Sequence, residues 1–249
     1  MSRERGGGAE DAEVKIGYQG RHVVVTGATG ELGGAIVAAL LEADAEVRVP
    51  CRNADKPGGL EALRSARLEI VGGIDLEDES AVRRFYRSLP GLWASIHAAG
   101  GFAMSPIAGT AMVDFRKMID SNATSCFLCC REAVEAIRRT GSDGGRIVNV
   151  AAMPALEPRR GAGMVAYAAS KSAVAALTAA LAEEVAQEGI WVNAVAPSIL
   201  DTRANRAAMP QADVSRWAKL DEVAATICFL ASPQNLAARG GVVPVYGRS

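Results

Sequence analysis

Short β-branched runs alternate with longer Ala-, Leu- and charge-rich runs along the whole chain, and this alternation restricts the fold more than any other feature. HVVVTG (22–27), AEVRVP (45–50), LEIVGG (68–73), ASIHAAG (94–100), GRIVNVAA (145–152), IWVNAVAP (190–197) and VVPVYG (242–247) read as strands. Helical patterns fall between them near 32–43, 58–66, 78–88, 112–139, 163–188 and 220–231. Several strands are apolar with little alternation, as expected where helices cover both faces of a sheet. Repeated β–α units of this length imply an α/β fold, a doubly wound parallel sheet of about seven strands. Neither an internal repeat nor a linker divides the chain, so 19–249 is expected to be a single domain. The polar, Gly-rich start MSRERGGGAEDAEVKIGYQG has no apolar run of the signal-peptide kind, and residues 1–18 are expected to be a disordered leader.

Charge and cysteine content narrow the function classes. Lys+Arg 27 against Asp+Glu 28 gives a net charge of -1, which removes the simplest case for a nucleic-acid partner. A continuous apolar run of about 18 residues is missing from the sequence, so no membrane span is expected. Five cysteines are an odd number without a paired framework, and they point to reduced thiols in a cytoplasmic protein. Cys126, Cys129 and Cys130 sit at i, i+3, i+4 spacing, but the only histidines are His22 and His97. They read as a buried helix face, with no metal expected.

The first strand runs through TGATGELG into an Ala- and Leu-rich helix, which places Gly27, Gly30 and Gly33 at the strand end and helix start. Glycines there tighten the turn, let backbone approach a pyrophosphate and let helix pack on strand. The helix N-terminus adds unpaired N–H groups and a partial positive charge. After the second strand, Cys51 occupies the position where an acid would bind a ribose 2′-hydroxyl, and Arg52 follows. Arginine attracts a 2′-phosphate, so NADP(H) is favoured with NAD(H) left open. Asp75, after the third strand, suits either the adenine amino group or the cap of the next helix.

Lys171, one of only five lysines, follows Tyr167 by four residues in AYAASKSAVAALTAALAEEV. On a helix these side chains share a face, and a nearby cation favours phenolate. Tyr167 then serves as acid in reduction and base in oxidation. Together with TGATGELG, Asp75-Leu76, HAAG (97–100), Asn122 and VNAVAPS (192–198), this pair makes residues 20–247 resemble the short-chain dehydrogenase/reductase family. The resemblance implies a Rossmann-like fold, with Tyr167 as proton donor and Lys171 on the nicotinamide ribose, lowering the tyrosine pKa. Asn122 matches the asparagine that holds a water of the proton relay. Cofactor contacts are implied at Gly27, Thr29, Gly30, Leu32 and Gly33, at Leu76, Ala99 and Gly100, and at the backbone of Pro197 and Ile199.

Three departures stand out. Glu31 replaces the middle glycine of the commoner pattern, and His97-Ala98 replaces Asn-Asn, with His97 read as structural. Ala152 occupies the place of the catalytic serine, whose hydroxyl polarises the substrate carbonyl. Either the substrate is electrophilic enough to accept hydride without that donor, or the protein is a weak or non-catalytic nucleotide-binding relative. LDTRANRAAMPQADVSRW (200–217) and AGGFA (99–103) further resemble dihydropteridine reductases, which also carry alanine at this position. A conjugated imine such as a quinonoid dihydropterin needs no carbonyl polarisation, so a pterin-like or quinonoid C=N or C=O substrate is favoured.

Segment 198–217 falls at the family's substrate lid. Arg203 there is a candidate for polar contact, and Phe102 and Trp217 for stacking on a flat ring; charge solvation and core closure are the competing readings. Family members pair their long helices across dimer or tetramer interfaces, so a homo-oligomer is implied.

Overall fold

A computed structural model describes residues 16–60, 62–63, 65–140 and 144–249. Seven parallel strands form one sheet in the order β3-β2-β1-β4-β5-β6-β7. They are β1 His22–Thr26, β2 Glu46–Pro50, β3 Leu68–Val71, β4 Ala94–His97, β5 Gly145–Val150, β6 Ile190–Pro197 and β7 Val242–Val245. Between β1 and β4 the strand order reverses, and connections leave toward opposite faces of the sheet. That switch point opens a crevice at the strand C-termini.

Period-2 alternation assigns each strand residue to one of two cores. Val23 and Val25 pack with Val148, Val195 and helices α1 (Glu31–Glu42) and α8 (Leu220–Ala231). Val24 faces the other way, with Ile147, Val192, Ala194 and helices α2 (Glu79–Arg87) and α4 (Ser125–Thr140). Full burial of each Val or Ile stabilises by about 1.5–3 kcal/mol, which makes the sheet a rigid platform. Asp78, not Asp75, caps α2, its side chain accepting from Ser80 and Ala81 N–H.

Three local expectations are corrected. Instead of one helix over 112–139, α3 (Met112–Met118) passes through a π-helical turn at Ile119–Thr124 into α4. The SNATS stretch supplies the cause: Ser121 Oγ donates to the Lys117 carbonyl at 2.7 Å and Ser125 Oγ to the Ser121 carbonyl at 2.8 Å. Hydroxyls thus occupy carbonyls of the regular ladder, and the wider turn re-aims what it carries. Over 58–66, the described residues show only a 3-10 turn at Gly58–Leu60, since Pro57, Gly58 and Gly59 are poor helix formers.

The third correction concerns the leader. Residues 1–15 lie outside the described residues, but Tyr18 is fully buried and its hydroxyl donates to the Cys228 carbonyl at 2.7 Å. The domain therefore begins before 19. Helix α6 (Val165–Glu184) has the length and apolarity of a membrane span, and one face of it, with Ser170, Lys171, Val174, Thr178 and Ala182, is buried in the protein. Tyr18→Phe is expected to lower the unfolding free energy by about 1 kcal/mol in urea denaturation. An unchanged stability would mean that the Tyr18–Cys228 bond does not form.

Candidate active site

The crevice at the switch point begins where β1 turns into α1. Gly27 has φ +70, and a Cβ there would lie 2.5 Å from the Ala99 nitrogen. At Gly33 a Cβ would meet the Gly27 carbonyl oxygen at 2.4 Å, so the helix cannot pack this close with any other residue. Gly30 caps α1 without a side-chain bond, and the first-turn N–H groups stay free of side-chain acceptors. Such a bare N-terminus above a tight turn is a phosphate cradle. A cavity of about 510 Å³ adjoins it, lined by Gly27, Thr29, Gly30, Arg52, Leu76, Ala99 and Gly100 among the expected residues. The cradle and cavity fit a dinucleotide.

Other expected contacts lie outside that lining. Leu32 packs into the core under α1, and Gly33 is buried at the helix–strand contact. Pro197 is buried at the end of β6, while Ile199 is 37% exposed beyond it. Lys56 and Asn53 do line the cavity. Sequence reasoning missed them; the cue was a second cation four residues after Arg52.

Arg52 is largely exposed and pairs with Asp75 at 3.0 Å and Glu77 at 3.3 Å. Asp75 is held below its ordinary range by the Glu77 N–H and by Arg52, against some desolvation. The carboxylate expected on an adenine is thus engaged in holding the arginine. Any anion reaching Arg52 must compete with these two acids.

At the far end of the crevice, the π turn aims Asn122 into the protein, where it is 1% exposed. Asn122 Nδ2 donates to the Gly101 carbonyl at 3.0 Å and to Ser170 Oγ at 3.1 Å, and Oδ1 accepts from the Gly101 N–H at 3.1 Å. Ser170 Oγ donates in turn to the Tyr167 carbonyl at 2.8 Å. One buried amide therefore ties the loop after β4 to the helix that carries Tyr167 and Lys171. Gly100 is required beneath it: a Cβ would lie 2.4 Å from Asn122 Oδ1 and 3.3 Å from Lys171 Nζ.

Lys171 is buried and donates to the Val150 carbonyl at 2.7 Å, rather than to the Tyr167 hydroxyl. Desolvation pulls the ammonium down to about 8, and burial pushes the Tyr167 phenol up to about 12. The expected lowering of the phenol is therefore not set by this chain alone. With its ammonium directed to Val150, Lys171 offers the phenolate too little to offset desolvation. Phe102 meets the Tyr167 ring edge to face at 4.9 Å.

Of the remaining substrate candidates, Ala152 is buried and N-caps α5 (Met153–Leu156) without a side-chain bond. Trp217 is corrected from a stacking residue to a core residue at 5% exposure. The C-terminal turn packs on the backbone of Trp217 and Ala218, where a Cβ on Gly247 would lie 2.9 Å from the Trp217 carbonyl carbon. Arg203 opens α7 (Arg203–Ala208) and faces solvent, 3.5 Å from Glu31. Glu31, in the first turn of α1, is its ion-pair partner. His97 holds the structural place expected of it, with Nδ1 2.8 Å from Asn149 Oδ1 and Nε2 2.8 Å from Ser95 Oγ. All three helix thiols are buried as read, but Cys126 and Cys130 converge on His97, a proximity that the sequence spacing concealed.

Gly100→Ala is expected to cut turnover at least about tenfold with secondary structure intact, because one methyl displaces both Asn122 and Lys171; a ~1 Å misplacement can cost about 10²-fold. Circular dichroism and steady-state rates check this.

Comparison with known proteins identifies the family. A profile described as short chain dehydrogenase matches residues 21–213. A rhamnolipids biosynthesis 3-oxoacyl-[acyl-carrier-protein] reductase of Pseudomonas aeruginosa is 29% identical over 249 residues, 92% of this chain and 95% of that enzyme. A glucose 1-dehydrogenase of Gluconobacter oxydans is 30% identical over 256 residues, 95% of this chain and 94% of that enzyme. The solved structure of ElxO with NADP bound superposes with a TM-score of 0.82 at 25% identity, covering 92% of this chain and 98% of that one. From β1 through the Tyr167–Lys171 helix and into the segment beyond β6, the chain belongs to the short-chain dehydrogenase/reductase family.

Proposed function

We propose that this protein is an NADP(H)-preferring oxidoreductase that reduces an activated C=N or C=O group, with a flat pterin-like or quinonoid substrate favoured over a simple ketone. The observation that carries the reading is the pairing of a Tyr167 phenol, framed by Phe102, with a methyl group at Ala152 where a hydroxyl donor would stand. Bound nicotinamide supplies or accepts the hydride. Tyr167 delivers the proton to the substrate heteroatom from its hydroxyl. Lys171 holds positive charge behind it, and Asn122 fixes the helix on which both stand. An absent oxyanion-type donor costs about 2.7–4 kcal/mol on a carbonyl that needs polarisation. An electron-poor conjugated imine or quinone escapes most of that cost. Phe102, 59% exposed beside Tyr167, offers an aromatic surface to such a ring.

Arg52 and Lys56 at the cavity support a 2′-phosphate, and the NADP held by the ElxO structure agrees with that preference. The five free cysteines suit a reducing cytoplasm. A second copy of the chain is the proposed protein partner, supported by exposed Met112, Val113, Phe115 and Phe127 on α3 and α4.

Nicotinamide absorbance, followed with NADPH or NADH against quinonoid dihydropterins, quinones, cyclic imines and ketones, tests the proposal. The expected order places NADPH over NADH and imine or quinone over ketone; fastest turnover with a simple ketone would overturn the substrate reading. Ala152→Ser should raise ketone reduction by up to about 10² and leave the activated substrate nearly unchanged.

Tyr167→Phe should lower turnover by about 10²–10⁴ without changing NADPH affinity; retained activity would remove the acid role. Lys171 carries its charge below its pKa, so kcat/KM should fall as pH rises through about 8.

A further inference from the structure

Behind the floor of the cofactor cavity, three soft or borderline metal-binding side chains converge from two elements. His97 ends β4, and Cys126 and Cys130 occupy one face of α4 at i, i+4 spacing. Their ligating atoms all lie within 4.8 Å of one another, and all three residues are buried. We propose that His97, Cys126 and Cys130 form a binding site for a thiophilic cation of the Zn²⁺ type, with the Asn149 carbonyl oxygen as the fourth donor.

The distances support a coordination shell. A tetrahedral ion with metal–sulfur near 2.3 Å and metal–nitrogen near 2.0 Å sets those two ligands about 3.5 Å apart. Cys130 Sγ stands 3.5 Å from His97 Nδ1. Asn149 Oδ1 stands 3.4 Å from Cys130 Sγ and 2.8 Å from His97 Nδ1, close enough to join after a small opening. The outer shell is also in place. Metal-ligating histidine usually donates its second ring N–H to a fixed acceptor, and His97 Nε2 lies 2.8 Å from Ser95 Oγ, itself 2.8 Å from the Tyr86 hydroxyl. On binding, Cys126 and Cys130 each release a proton, and His97 carries its single proton on Nε2. Two thiolates then balance the 2+ ion, so the buried cluster stays neutral. Leu76, Ala99 and Ser125 line both the cofactor cavity and the tight space beside His97 and Cys126, so the site lies directly behind the cavity wall.

Co²⁺ added to the reduced full-length protein is the probe. One equivalent per chain should produce thiolate-to-cobalt charge transfer and the intense visible bands of a tetrahedral site, and Zn²⁺ should erase them. Cys130→Ser should lose the charge-transfer band, while Cys228→Ser, whose thiol is buried elsewhere, should keep it. A wild-type protein without the band overturns the site whatever the variants do, and so does a folded Cys130→Ser protein with the full band. If Cys130→Ser does not fold, His97→Gln takes its place: a shifted visible spectrum supports the site and an unchanged one overturns it.

Discussion

The side-chain amide of Asn122 holds the reaction end of the crevice together. It satisfies both backbone groups of Gly101 and reaches Ser170, whose hydroxyl is bound to the Tyr167 carbonyl. A buried amide pays the full desolvation cost of any bond left unmade, so the loop after β4 and the start of α6 are locked at one separation. Everything chemical in the site is referred to that lock. Tyr167 and Lys171 share a helix face because of their spacing, and Asn122 ties that helix to the loop after β4.

Absent side chains set the other limits. Gly27 lets the turn after β1 approach the loop after β4, Gly33 lets α1 pack on that turn, and Gly100 leaves room for Asn122 and Lys171. Ala152, buried at the start of α5, brings no hydroxyl to that position, and the proposed preference for substrates that accept hydride unaided rests on that absence. Burial then sets the protonation of the pair. Lys171 is drawn down to about 8 and Tyr167 up to about 12, so the chain by itself holds the tyrosine protonated.

The strands, the Gly-rich turn and the Tyr167–Lys171 spacing were legible in the sequence because each depends on local periodicity. The π turn was not, since a helical pattern over 112–139 carries no sign of one extra residue except the hydroxyls of SNATS. Tyr18 was hidden by its position behind a polar run, although its partner at Cys228 lies 210 residues away. The burial of Trp217 and the pairing of Arg203 with Glu31 are tertiary and have no signature along the chain. Arg52 was found, but its pairing with Asp75 and Glu77 joins loops after different strands and has no signature along the chain. The convergence of His97 with Cys126 and Cys130 is of the same kind.

A double-mutant cycle between Asn122→Ala and Ser170→Ala, read by turnover and by urea unfolding, tests the lock most directly. Residues sharing one hydrogen-bond network couple by about 0.5–3 kcal/mol, and the account predicts coupling in that range in both readouts. Strictly additive losses, or full turnover in Asn122→Ala, would show that the helix of Tyr167 is positioned without it.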